Sequence, residues 1–380
     1  MSVQDAIAAN VRRLRSAARL SQSALAEKAG ISRYALAKIE KGQSRPQAAT
    51  LQKLARALGV SLGELVEEVT DLRAVRFRAR KKMYGREQIL ADVSRWLSGF
   101  REVEDILGEG RPFELGQIIH SDGLAPKEAA RRVRQHMGLG DEPIRDICGL
   151  LETHGIKVWT LSRKTDAFFG LSVSEEDGGP AIVVNTWDHI SVERWIFSAA
   201  HELGHLLLHL QSYTADEMEE IEDQETEANQ FASHFLMPNE VFLREWASAA
   251  GLPLIDRVFK IKRMFRVSYL TVLYRLVENG QADNDIWPDF KRVYRARTGK
   301  RLKKADEPLR IAATEFAGGD PVHRKSAEPA RLEDVDFQED RLSTLVRRAY
   351  ELGEMSLTRA AEILGLTIQE MRTLTGEWVV

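Results

Sequence analysis

A single cysteine, Cys148, stands in a chain of 380 residues, which excludes a disulfide scaffold, a cysteine-type zinc ribbon and an iron–sulfur centre. Any metal must therefore be held by His and carboxylate ligands. Long apolar runs are missing as well: none approaches the ~20 residues that span a bilayer. The N-terminal MSVQDAIAANVRRLRSAARL has no apolar core followed by a small-residue cleavage site. The expectation is a soluble, cytoplasmic protein with no membrane partner. Net charge is small, 54 Lys and Arg against 57 Asp and Glu. At roughly 100–200 residues per domain, the length implies two or three domains.

The distribution of charge says more than its sum. Residues 1–66 carry eleven Lys and Arg but only Asp5, Glu27, Glu40 and Glu64 as acids. RAVRFRARKKMYGR (73–86) has no acid at all, whereas ADEMEEIEDQETE (215–227) is almost wholly acidic. A basic head joined to an acidic middle points to polyanion binding at one end and other work further along.

Residues 5–66 read as five short helices. Leu14, Leu20, Leu25, Ala26 and Ala29 recur at helical spacing until Gly30 breaks the pattern. Ser32 then caps a second helix that ends near Gly42, and Pro46 opens a further one stopped by Gly59. Two helices about a glycine turn make a helix-turn-helix, whose second helix can enter a major groove. Ile31, Leu36 and Ile39 face inward; Ser32, Arg33, Tyr34 and Lys38 face outward, toward base edges or phosphates. Gln22, Lys41 and Arg45 flank that surface and suit phosphate. An all-helical interaction domain with a solvated basic face is the competing reading. LRSAARLSQSALAEKAGIS, ALAKIEKGQSRP and LQKLARALGVSLGEL resemble the Xre/lambda-repressor-like helix-turn-helix family. That resemblance implies DNA reading by Ser32, Arg33 and Tyr34 and a phosphate contact by Gln22. Xre heads often bind DNA as dimers, which leaves a homodimer open.

SVERWIFSAAHELGHLLLHL (191–210) is the most informative string. Ile196, Ala199, Ala200, Leu203, Leu206, Leu207 and Leu210 form an apolar helical face. His201 and His205 lie one turn apart on one side, with Glu202 between them. Two imidazoles at that spacing can bind one Zn²⁺, and the adjacent glutamate can accept a proton from water whose pKa the metal lowers to about 7. A buried histidine pair of purely structural role is the bland alternative. His209 is about 12 Å from His201 along the axis, so it cannot share one ion with both; it reads as an outer partner or cap.

A catalytic zinc site wants three protein ligands and one open position. The third is expected from ETEANQFASHFLMP (225–238), where Ala228, Phe231, Ala232, Phe235 and Leu236 point inward and Pro238 ends the helix. Glu227 leads that apolar stripe and is favoured as the ligand. Glu225, two residues earlier and on the opposite side, is the competitor. His234, on the Glu227 side, could polarise a substrate carbonyl, or be an ordinary hydrogen-bonded helix histidine. Upstream, KVWTLS (157–162), FFGLSVSEE (168–176) and PAIVVNT (180–186) read as strands. An exposed edge of such a sheet could pair with an extended peptide and hold it near the metal.

HELGHLLLH, EANQFASHFLMP and VVNT with SVERWIFSAA resemble the ImmA/IrrE family of zinc metallopeptidases. RFRARKKMYGREQILADVSRWL ahead of the sheet is typical of longer members with an Xre head. Carried over by position, His201 and His205 are zinc ligands, Glu202 the general base and Glu227 the third ligand. The resemblance implies a gluzincin-like protease; several relatives inactivate helix-turn-helix repressors by one cut, in stress or mobile-element responses. Many gluzincins have an Asp four residues after the ligand Glu to orient a zinc histidine, and here that position is Phe231.

The expected fold is mainly α and multidomain. It comprises a five-helix Xre head over 1–70, basic connecting helices over 71–110 and an α+β minimal zincin domain with a small sheet over 111–250. A helical extension over 251–290, a polar linker over 291–340 and a C-terminal helical segment over 341–380 follow. MSLTRAAEILGLTIQEMRTL in that last segment reads as a weak second helix-turn-helix or a plain hairpin. The expected function is a zinc endopeptidase acting on a protein, targeted or activated by its DNA-binding head. The runner-up is a DNA-binding regulator or antitoxin whose peptidase-like domain senses without cutting.

Overall fold

The computed structural model describes residues 3–67, 72–77, 85–118, 124–213, 221–303, 307–308 and 332–378. In chain order these form α1 (Val3–Ala17), α2 (Gln22–Ala29), α3 (Arg33–Glu40), α4 (Ala48–Leu58), α5 (Leu62–Val66), β1 (Val75–Arg76), α6 (Arg86–Leu107), α7 (Pro126–His136), α8 (Ile147–Thr153), β2 (Lys157–Leu161), β3 (Gly170–Val173), β4 (Ala181–Asn185) and α9 (Val192–Leu208). They continue through α10 (Glu222–Leu236), α11 (Asn239–Ser248), α12 (Leu254–Phe265), α13 (Tyr269–Glu278), α14 (Ile286–Thr298), α15 (Arg341–Glu351), α16 (Leu357–Leu364) and α17 (Ile368–Trp378). The chain is mainly helical, with one small sheet in its middle, as expected. No helix among the described residues is long and apolar enough to cross a membrane.

Two compact units divide the chain: residues 1–73, 79–108 and 346–380 in one, 74–78 and 109–345 in the other. The first begins with five helices packed on fully buried Val11, Leu25, Leu36, Leu54 and Leu65. Local chemistry sets the helix-turn-helix. Ser21 Oγ accepts from Ala24 N, Gly30 takes the left-handed φ of 61° that ends α2, and Ser32 Oγ accepts from Ala35 N to start α3.

α16 and α17 repeat that geometry. Nine residues separate the N-cap serine from the left-handed glycine in both places (Ser21 to Gly30, Ser356 to Gly365), and two more reach the next cap, Ser32 or Thr367. Leu25, Ala26 and Leu36 are buried in the first copy; Ala360, Ala361 and Met371 take their places in the second. The surface chemistry is not repeated, since Ile368, Gln369 and Thr373 stand where Arg33, Tyr34 and Lys38 stand in α3. α16 packs on α6 through Ile363 over Gly99 and an Arg359–Glu102 ion pair.

The second unit holds the sheet, in strand order β1-β3-β4-β2. β3 runs antiparallel to β4 and to β1, while β2 runs parallel to β4. α9 and α10 pack together beside the sheet, and α11–α14 close the same core, in which Phe231, Phe235, Phe242, Phe265, Tyr269 and Phe290 are fully buried. Three boundaries differ from expectation. Within 71–110, expected as basic connecting helices, Val75–Arg76 is a strand of the sheet: its Val75 and Phe77 are apolar enough to be buried, and arginines flank them. The helices of 251–290 share the core of the peptidase-like unit instead of extending from it. Within 291–340, expected as linker, α14 continues to Thr298; residues 304–306 and 309–331 lie outside the described residues.

One carboxyl in this unit gives a pH signature. Glu152 ends α8 buried, and its Oε2 accepts from Arg341 N at 3.3 Å. Burial pushes its pKa up to about 7 despite hydrogen bonds from the backbone at Asp340 and Arg341. A folded-state pKa above the unfolded one means that the folded form holds the proton more tightly, so this contribution is full below about pH 4.5 and is lost as pH rises through 7. Glu152→Gln is expected to match the wild type in thermal stability at pH 4.5 and to exceed it by about 2–3 kcal/mol at pH 8. Equal stability at both pH values contradicts the assignment.

Candidate metal centre

α9 starts at Ser191, whose Oγ accepts from Arg194 N, and buries Trp195, Ile196, Ala199, Ala200, Leu203, Leu206 and Leu207. His201 and His205 follow one turn apart on its flank. Gly204 lets α10 approach: a Cβ there would lie 3.1 Å from Phe231 Cδ1 and 3.3 Å from Ala228 Cα. That close crossing brings the first turn of α10 over the histidines.

The ring nitrogens converge. His201 Nε2 and His205 Nε2 are 3.0 Å apart, and each lies 3.2 Å from an oxygen of Glu225. These three side chains are the group suited to a metal among the described residues. The donor set fits zinc. Tetrahedral bonds of about 2.05 Å put ligand atoms about 3.3 Å apart, close to the separations found. Burial disfavours the ionised form of Glu225, yet the imidazoles of His201 and His205 beside it hold its pKa far below the ordinary carboxylate range.

Glu227, expected as third ligand, lies elsewhere: its Oε2 is 2.7 Å from His209 Nε2. At about 100° per residue, Glu225 stands nearer than Glu227 to the centre of the buried stripe of Ala228, Phe231, Ala232, Phe235 and Leu236. The face that meets α9 runs through Ala228, against Gly204, and Glu225 sits one turn before it. A ligand at a partly open cleft also needs no burial at its own helix position. Glu225 keeps 22% side-chain exposure and Glu227 49%. The two-residue shift changes the orienting position as well. Four residues after Glu225 is Asn229, not Phe231, and His201 Nδ1 lies 3.1 Å from Asn229 Oδ1. An amide oxygen there takes the Nδ1 proton and leaves Nε2 free to ligate.

Glu202 is buried against the sheet. Ser172 Oγ donates to Glu202 Oε2 at 2.7 Å and is itself 2.7 Å from Tyr213 OH. Gly170 on β3 makes room, since a Cβ there would lie 3.1 Å from Glu202 Cγ. Burial pushes the Glu202 pKa up to about 7, against the pull of His201 and the Ser172 hydrogen bond. A carboxyl poised near neutrality can both take and return a proton.

Arg76 escaped the sequence reading. From β1 its guanidinium reaches Glu225 Oε1 at 3.0 Å and donates to Gln224 Oε1 at 2.7 Å. Its only signal was membership of a basic run. β1 pairs with the β3 edge through Val75–Val173 and Arg76–Ser172. β1 thus covers the edge of β3, and the outer strands of the sheet are β1 and β2.

His234 is not brought to the metal group. It sits about 13 Å along the axis from Glu225, with Nε2 3.3 Å from Glu278. Burial and the nearby Arg275 charge lower its pKa to about 4. Its apolar setting in the last turn of α10 made it a core histidine. His209 lies beside His205, with Nδ1 atoms 2.9 Å apart.

In the helix-turn-helix, Ser32, Arg33, Tyr34, Lys41 and Arg45 are exposed, Tyr34 to 69%. The Ser32 hydroxyl is engaged as a cap. Lys38 lies 4.6 Å from the centre of the Tyr34 ring. Gln22, expected at phosphate, donates to Glu40 at 2.7 Å, beside the Arg15–Glu40 ion pair.

Comparison with known proteins agrees with both halves. Residues 151–277 match the family Peptidase_M78, described as IrrE N-terminal-like domain, and residues 11–65 match a helix-turn-helix family. No curated protein matches. The solved structures that match include the apo form of the competence regulator ComR from Streptococcus vestibularis, at 16% identity over 74% of this chain and 99% of that one, with a TM-score of 0.17. Apo ComR from S. thermophilus matches at 12% identity over 95% and 91%, with a TM-score of 0.16. The chain is therefore one that carries an IrrE N-terminal-like domain of the Peptidase_M78 family behind a DNA-binding helix-turn-helix domain.

Proposed function

We propose that this protein is a zinc-dependent endopeptidase that cuts a protein substrate, with His201, His205 and Glu225 as ligands and Glu202 as general base. The observation that carries the reading is the buried Glu202 carboxyl, raised to about 7 and fixed by Ser172 beside the converging ligands. Zinc in this site supplies Lewis acidity toward a carbonyl oxygen and acidifies water. Glu202 takes the proton of the attacking water and returns it to the leaving amine. Ser172 holds the Glu202 oxygen, and Asn229 holds the His201 ring. The helix-turn-helix makes a DNA-associated regulator, such as a helix-turn-helix repressor in a stress or mobile-element response, the favoured substrate class, with DNA as tether or activator.

A second reading, a DNA-binding regulator whose peptidase-like domain does not cut, is favoured by Arg76 and β1. They cover the edge of β3 and one side of Glu225. Incubation of zinc-loaded protein with a candidate repressor, with and without duplex or single-stranded DNA, separates the two. Cleavage abolished by Glu202→Gln supports the peptidase, and no cleavage in any arm supports the regulator. Cleavage indifferent to DNA removes the activating role of the head.

A further inference from the structure

Beyond the ligands, two polar contacts run outward from His205 and take no part in the reaction proposed above. His205 Nδ1 lies 2.9 Å from His209 Nδ1, and His209 Nε2 lies 2.7 Å from Glu227 Oε2. We propose that Glu227 and His209 are a positioning pair, which fixes His205 in the tautomer whose unprotonated Nε2 faces the metal. This inference rests on the metal-centre reading.

The argument follows from which atoms can donate. An ionised carboxylate only accepts, so Glu227 takes the Nε2 proton of His209. A neutral imidazole carries one N–H, so the His209 Nδ1 then bears a lone pair. With a metal held at its Nε2, His205 Nδ1 donates to that lone pair; without one, Glu225, 3.2 Å from Nε2, competes for the same proton. The His205 Nε2 lone pair is left pointing at His201 Nε2 and Glu225, 3.0 and 3.2 Å away. Asn229 imposes the same tautomer on His201 from α10. The two ligands are thus set by different devices. The His201 ring is held by an amide on the neighbouring helix, the His205 ring by a histidine from the next turn of its own strand of chain. The pair is sheltered on one side only: the side chains of His205 and His209 are buried, whereas Glu227 reaches the surface. Ligand histidines whose other nitrogen loses its partner typically cost about 10–100-fold in metal affinity.

Zinc titration of the full-length protein against a competing chelator tests this, with zinc alone as the probe. His209→Phe keeps the ring volume but removes the acceptor, and it is expected to weaken zinc by about 10–100-fold. Glu227→Ala, at a half-exposed position that folding tolerates, is expected to weaken zinc in the same direction. Glu227→Gln, whose amide oxygen still accepts, is expected to restore affinity close to the wild type. Wild-type zinc affinity in His209→Phe, or Glu227→Gln as weak as Glu227→Ala, overturns the proposal; a space-filling role alone predicts the first of these. His205→Ala serves as the control. If it too binds zinc like the wild type, the metal-centre reading fails, rather than the positioning pair.

Discussion

Glu202→Gln is expected to reduce cleavage of a protein substrate by about 10²–10⁴-fold while leaving zinc content and folding unchanged. The substitution is nearly isosteric, which matters because Gly170 and Ser172 pack directly against this side chain. An amide at that position still accepts from Ser172, so local structure survives. It cannot accept the proton of an attacking water, so the chemical step is lost. A free carboxylate at the surface would be a poor candidate for this role; burial raises the Glu202 pKa to about 7, and a base of that strength works at neutral pH. Rate measurements on a repressor substrate, with zinc content determined on the same samples, check the expectation. Cleavage by Glu202→Gln at the wild-type rate would remove the peptidase reading and leave a DNA reader.

The largest effect on stability is expected at Arg275 on α13. Its side chain is fully buried, yet the guanidinium donates to Met237 O at 2.7 Å, Ser233 O at 3.1 Å and Asn239 Oδ1 at 2.6 Å, and it pairs with Glu278 at 2.9 Å. Met237 O lies just past the end of α10, where the helix leaves carbonyls without internal partners, and Ser233 O already accepts from Met237 N at 3.1 Å. Arg275 thereby fastens the helix that carries Glu225 and Asn229 to α13. Arg275→Met keeps the apolar stem but removes the donor to Met237 O and Asn239 Oδ1, while Glu278 keeps Lys127 at 2.8 Å. Each buried acceptor left unsatisfied costs about 1–3 kcal/mol. A large drop in the urea midpoint of the peptidase-like unit, followed by tryptophan fluorescence, is the expected result. A shift near zero would mean that water replaces the guanidinium without penalty.

Much of this architecture could be read from the chain because it depends on local chemistry. Ser21, Gly30 and Ser32 set the helix-turn-helix by capping and a left-handed turn, both visible as residue types. His201 and His205 sit one helical turn apart whatever surrounds them, and the apolar stripe of α9 placed that helix in the core. The third ligand was harder. Glu225 and Glu227 lie two residues apart in an acidic run, and the choice depends on which face of α10 meets α9. Gly204 meets that face at Ala228 and Phe231, both members of the apolar stripe. The spacing therefore carried the answer, since Glu225 precedes Ala228 by three residues and Ala232 by seven, but Glu227 was set at the head of the stripe instead. Once the register is known, Asn229 follows at once.

β1 and Arg76 were illegible for a different reason. Two residues are too short for any alternation to register, and the strand lies between arginines in a basic run. Only pairing with β3 makes it a strand. The second helix-turn-helix geometry in α16 and α17 was visible only as apolar spacing about Gly365, which suited a plain hairpin as well. Its missing cations mark it as chemically unlike the first copy.

The central claim is that one zinc ion is held by His201, His205 and Glu225. Zinc stoichiometry of the full-length wild type, Glu225→Ala and Glu227→Ala, measured by titration with the metal alone, tests it most directly. One zinc per chain is expected for the wild type and, with weaker affinity, for Glu227→Ala. Glu225→Ala is expected to lose the site. A single tight zinc in Glu225→Ala, with none in Glu227→Ala, would contradict the account and return the ligand to Glu227.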